Sequence, residues 1–91
     1  MVTSIILINV ERRKINEVAE KLAAMEEFSE VYSVSGNYDL VAIARVPNND
    51  ALSQLVTGKL VQIDSIQHTE TMLAFQAFSR HDLEALFSIG A

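Results

Sequence analysis

Two runs, Val2–Val10 and Tyr38–Val46, are apolar on both sides of a period-two alternation. In the first, Val2, Ile6, Ile8 and Val10 share one side and Ile5 and Leu7 the other. In the second, Leu40, Ala42, Ala44 and Val46 oppose Val41 and Ile43. A strand that faces water alternates apolar with polar residues, so these two must be covered on both faces. Pro47 ends the second run, because proline has no N–H to give to a ladder.

The other segments fit around this pair. The spacing of Ile15, Val18, Ala19, Leu22 and Met25 predicts a helix over Glu11–Glu26, with Glu17 and Lys21 paired outside and Arg12, Arg13 and Lys14 in a solvated first turn. A strand is expected over Phe28–Ser35. A second helix is expected over Asp50–Lys59, with Leu52, Leu55 and Val56 inward, N-cap candidates in Asn48, Asn49 and Asp50, and Gly58 placed to loosen or end it. Leu60–Ile63 is ambiguous. The last strand is expected over Ser65–Phe78. It carries Thr69, Thr71, Leu73, Phe75 and Ala77 on one face, and Ile66, His68, Glu70 and Met72 on the other. His81–Phe87 reads as a short C-terminal helix.

The order βαββαβ makes one domain over residues 1–91, of the α+β class and ferredoxin-like. Right-handed crossovers give a four-stranded antiparallel sheet, with the first and third strands central and both helices on one face. Nothing in the chain then remains to cover the second apolar face. The expectation is a homodimer in which two sheets pack together, a dimeric α+β barrel. An apolar content of 49%, high for a small domain, agrees.

Composition narrows the function classes. Twelve acidic against seven basic residues give a net charge of −5, a poor match for direct binding of nucleic acid. Without cysteine there is neither a disulfide framework nor thiolate chemistry, and two histidines leave few zinc ligands, so no metal or cofactor is expected. The run Ile5–Ile8 is too short for a bilayer, and no secretory signal pattern precedes it, so no membrane role and a cytoplasmic location are expected.

Among His68, His81, Asp39, Asp64, Glu70 and Asp82, none belongs to a motif that sets a nucleophile beside a base, so no catalytic residue is assigned. Binding has a better candidate in the bend Ser35-Gly36-Asn37-Tyr38-Asp39. Gly-Asn between two strand runs is a two-residue hairpin signal. Gly36 also lets backbone N–H groups approach a ligand closely, and Asp39 adds a negative charge. Thr69 and Thr71 offer two hydroxyls on one strand face. Donors for a carboxylate, a carboxylate for an ammonium and hydroxyls for both would suit a zwitterion. The same residues also suit a solvated turn followed by β-favouring threonines.

The pattern Val31–Leu40, the helix Ala51–Val56 and Ile66-Gln67-His68-Thr69-Glu70-Thr71 together resemble the effector-binding (RAM) domain of the Lrp/AsnC, or feast/famine, transcription regulators. The resemblance covers essentially the whole chain. It implies the βαββαβ fold, dimers joined into rings, commonly octamers, and a small effector, usually an amino acid, held at the contact between dimers. It implies effector-binding roles for Gly36, Asn37, Tyr38, Asp39, Thr69 and Thr71. Backbone near Gly36 would take the carboxylate, Asp39 and a threonine the ammonium, and Tyr38 would shape the pocket or the subunit contact. Asn37 stands where many relatives are acidic. Full-length members also carry an N-terminal helix-turn-helix that reads DNA. This chain starts at the first strand, with Met1 just before it, and reads as a stand-alone member that acts by co-assembly with full-length regulators. Two other classes compete with this reading: a small dimeric α+β-barrel enzyme with His68 as its first candidate acid or base, and an assembly module without ligand.

Overall fold

The computed structural model describes residues 1–78. The helix expected over His81–Phe87 lies outside the described residues, as do His81 and Asp82. Among the described residues no helix is long and apolar enough to cross a membrane.

The chain forms β1 (Val2–Val10), α1 (Ile15–Ala23), β2 (Phe28–Ser33), β3 (Leu40–Val46), α2 (Asn49–Gln54) and β4 (Ile66–Leu73). The sheet is antiparallel in the order β2-β3-β1-β4, so the two doubly apolar strands are the central ones. Ile6, Ile8, Leu40, Ala42 and Ala44 are fully buried under Val18 and Leu22 of α1 and Leu55 and Leu60 around the second helix. Both helices therefore cover one face. Ser4 is buried there too, and its hydroxyl donates to the Met72 carbonyl at 2.8 Å, which meets the need of a buried polar group for a partner. On the other face Ile5, Leu7, Val41 and Ile43 are half-buried, with no element of the described chain over them.

Several boundaries differ from the sequence expectation, each for a physical reason. The basic triplet Arg12–Lys14 forms a 3₁₀ turn, and α1 begins only at Ile15. These charges thus precede the α-helix, and Lys14 pairs with Glu17 at 3.2 Å. Asn48 is the N-cap of α2, its Oδ1 accepting from the Ala51 N–H at 2.8 Å. The helix then widens into a π-helical turn over Leu55–Lys59, which contains Gly58, and ends in a 3₁₀ turn over Leu60–Gln62. Within the widened turn the Thr57 hydroxyl donates to the Ser53 carbonyl at 2.6 Å.

β4 stops at Leu73, five residues before Phe78, where the chain peels away from β1 while Thr3 and Val2 are still in register with β3. Ser4 pairs with Leu73, the Ala74 N–H reaches the Thr3 carbonyl at 2.9 Å, and Phe75 beyond is 98% exposed. The strand also carries a bulge. Asn9 pairs with His68 but Val10 pairs with Ile66, so Gln67 is an extra residue. The bulge turns Ile66 onto the core side with Val10, where it packs against the buried cluster, rather than onto the face of His68 and Glu70.

Candidate functional site

The connection between β2 and β3 is longer than the two-residue turn that Gly-Asn suggests. Ser33–Leu40 is the last strand pair, and the loop closes with the Val34 N–H on the Asp39 carbonyl at 3.0 Å. Gly36 has φ +103°, and a Cβ there would meet nothing within 4 Å. Its requirement for glycine is therefore conformational and not steric. The loop is wide because it is tied sideways to β1. The Asp39 N–H donates to the Ile8 carbonyl at 3.0 Å, and Asp39 Oδ2 accepts from the Val10 N–H at 2.8 Å. Asn9 Nδ2 donates to the Asn37 carbonyl at 2.9 Å. Val10 lies beyond Ile8↔Leu40, the last β1–β3 pair, so its N–H on that side has no strand acceptor, and the Asp39 carboxylate takes it.

From this loop Tyr38 reaches across the end of β1 to β4. Its hydroxyl donates to Glu70 Oε2 at 2.7 Å, and its ring stacks on that of His68, with centroids 6.4 Å apart and planes inclined by 21°. The bond to the Glu70 carboxylate pushes the Tyr38 phenol above its ordinary value, since the proton it holds is the one in the bond. His68 and Glu70 pair with Asn9 and Leu7, so all four belong to the face opposite the helices.

Thr69 and Thr71 lie on the other side of the same strand. They pair with Ile8 and Ile6, whose side chains are in the core, so both threonines face the helix layer. Thr69 borders a groove of about 330 Å³ with Val56, Leu60, Ile66 and His68. Thr71 borders a second groove of about 340 Å³ with Leu52, Val56 and Leu73. Val56 lines both, so the two make one trough along the outer edge of β4.

The six residues singled out in the sequence thus fall into two groups. Gly36, Asn37, Tyr38 and Asp39 form the loop beside the end of β1, and Thr69 and Thr71 line the trough. His68 connects them, because its ring meets Tyr38 and also borders the groove beside Thr69. Sequence reading placed no binding role on His68, Glu70 or Val56. The signal that was present is adjacency: His68 and Glu70 flank Thr69, and Val56 closes the apolar stripe of the second helix.

The family model described as the Lrp/AsnC ligand binding domain matches residues 3–83. The chain belongs to the Lrp/AsnC family. This Lrp/AsnC domain is 33% identical over 75 residues to the HTH-type transcriptional regulator FL11 of Pyrococcus furiosus, covering 82% of this chain and 49% of that protein. It spans about half the length of the curated relatives it matches. Among solved structures it is similar to TTHA0845 from Thermus thermophilus, at 36% identity and a TM-score of 0.81, covering 88% of this chain and 100% of that one. E. coli AsnC aligns at 28% identity and a TM-score of 0.80, covering 87% of this chain and 54% of AsnC. The fold, the family and the regulator character of the relatives agree with the resemblance read from the motifs.

Proposed function

We propose that this domain is an effector-binding and oligomerisation module of transcription regulation, working in the cytoplasm without catalysis and without itself binding DNA. The observation that carries the reading is that the bend and the threonine strand, far apart in sequence, meet at one end of the sheet through Tyr38 and His68. Family membership supports a small-molecule effector, and a zwitterionic amino acid suits the donors and acceptors gathered there. A net charge of −5 disfavours phosphate contacts, so the output is assembly with other copies or with full-length regulators.

The proposed homodimer buries the half-covered face of Ile5, Leu7, Val41 and Ile43 against the same face of a second copy, an isologous contact. Dimers then join into a ring, of which the octamer is one form, with the effector between them. Gly36, Asn37, Asp39, Thr69 and Thr71 remain the proposed effector contacts, Tyr38 is proposed at the subunit contact, and the role of Asp39 changes. Asp39 already holds the Val10 N–H, so only its second oxygen is free for an ammonium. An effector shifts assembly by its difference in affinity between the assembled and free forms.

The test is light scattering of the purified chain over a range of concentrations, with and without each of the twenty amino acids, alongside calorimetry. A dimer or larger species whose mass responds to at least one amino acid supports the reading. A constant mass together with no heat of binding for any amino acid refutes the effector role, and a stable monomer at micromolar concentration refutes the sheet-to-sheet contact.

A further inference from the structure

The two grooves along β4 differ from the rest of the surface in charge. The chain has seven basic and twelve acidic residues, yet no aspartate, glutamate, lysine or arginine among the described residues lines either groove. The groove of Thr71 exposes chiefly apolar surface, from Leu52, Val56 and Leu73, while that of Thr69 mixes Val56, Leu60 and Ile66 with polar neighbours. Gln67, His68 and Thr69 make the first groove the more polar of the two, Asn49, Ser53, Thr57 and Thr71 border the second without charge, and His68 is the one titratable side chain that borders the trough among the described residues.

Resting on the effector reading above, we infer that the effector is an amino acid with an uncharged, chiefly apolar side chain, seated on Val56 between the two threonines. A charged side chain in the trough would give up hydration with no opposite charge to meet it, whereas an apolar one gains by leaving water. Each groove, at about 330 and 340 Å³, is at the lower end of the range for small-molecule sites and suits one amino acid. The zwitterionic end stays at the rim. There Thr69 and Thr71 supply hydroxyls, and β4 is an edge strand whose outward N–H and C=O groups have no strand partner in the described chain.

The experiment is calorimetric titration of the 91-residue chain with leucine, isoleucine, methionine and phenylalanine, with lysine, arginine, aspartate and glutamate, and with glycine as the side-chain-free reference. The expected result is that an apolar amino acid binds about tenfold or more tightly than glycine and than every charged one, as loss of several buried methylenes implies. Val56→Ala should weaken the apolar ligand and leave glycine unchanged. Val56→Asp should raise the lysine-to-leucine affinity ratio by about tenfold or more. A charged amino acid that binds as tightly as leucine overturns this inference and leaves the effector reading standing. Leucine affinity unchanged in both variants overturns the location. Absence of binding by all nine overturns this inference, and extending the titration to the other eleven separates the two failures: no binding there either overturns the effector reading as well.

Discussion

Replacing Asp39 by alanine tests whether its carboxylate is a structural clamp as well as a candidate ligand. Asp39 Oδ2 takes the N–H of Val10, a residue only 3% exposed at the point where the β1–β4 register slips. Removing the carboxylate leaves that N–H without its acceptor. A buried donor left unpaired costs about 1–3 kcal/mol, and bonds to charged groups fall toward the upper part of that range, so a loss of about 2 kcal/mol is expected. For a domain of this length, 1 kcal/mol moves Tm by roughly 4–8 °C, giving a fall of about 8–16 °C. Asp39→Asn keeps an acceptor oxygen in place and should lose under about 1 kcal/mol.

Thermal denaturation followed by far-UV circular dichroism measures both variants. Protein concentration must be held constant, because assembly makes Tm concentration-dependent. Amide hydrogen exchange supplies a local readout: the Val10 N–H should lose protection in Asp39→Ala and keep most of it in Asp39→Asn. An alanine variant within 2 °C of the parent, on the scale set by roughly 4–8 °C per kcal/mol, would refute the clamp. So would equal destabilisation by alanine and asparagine, since that would place the effect in charge and not in the acceptor. The consequence for function is direct. Loss of effector binding in Asp39→Ala is interpretable only beside Asp39→Asn, because the alanine variant also releases the loop that carries Gly36 and Tyr38.

Three further outcomes are expected. Ile43→Asp puts a charge at the centre of the half-covered face, opposite Ile5, and should convert the proposed dimer to monomer in light scattering; an unchanged mass would mean that this face is not the contact. The Lys59 ammonium beside Glu27 holds that carboxyl below its ordinary value of 4.5, so the pair's stabilisation is present at neutral pH and fades as pH falls through the lowered value. Lys59→Met should therefore cost about 1 kcal/mol or less near pH 7 and flatten the acid side of a Tm-versus-pH curve, and a parallel curve would sink the assignment. Both tyrosines hydrogen-bond a carboxylate, Tyr32 with Glu30 and Tyr38 with Glu70, and both phenols are pushed up. Glu70→Gln should bring one of the two phenols down in an ultraviolet titration; two unmoved phenols would show that the Tyr38–Glu70 bond does not form in solution.

The architecture was legible because it rests on periodicity. Val2–Val10 and Tyr38–Val46 read as doubly covered strands, and in β1 and in β3, which starts two residues later at Leu40, burial on one face with half-burial on the other is what the sheet order produces. Boundaries failed where a partner, and not the segment itself, decides the end. Phe75 and Ala77 continue the alternation of β4, but the chain leaves β1 after Ala74 and Phe75 is almost wholly exposed, so the alternation there has no surface to bury against. Residues 55–59 have helical spacing, yet the helix widens there into a π-turn that spacing alone does not reveal.

The candidate site was legible as residue types and not as a surface. Thr69 and Thr71 were correctly placed together, but which face of the sheet they join depends on register with β1, and a one-residue slip exchanges the faces. The bulge at Gln67 makes such a slip within β4. Ile66 turns to the core while His68 and Glu70 keep the open face, so the alternation that groups these three in sequence separates them in space. That separation makes β4 a strand with two uses. Its open side carries His68 and Glu70, both met by Tyr38, onto the face proposed to pack against a second copy. Its other side carries Thr69 and Thr71 along the uncharged trough. A ligand that shifts β4 in the trough must therefore also move the residues that Tyr38 holds on the open face. This gives one rigid element through which occupancy and assembly can bias each other, and Tyr38→Phe tests it. Removing the phenol should leave amino-acid affinity at fixed protein concentration nearly unchanged, while reducing the ligand-dependent change in mass. Equal loss of both would place Tyr38 in the pocket itself, and loss of neither would break the proposed link.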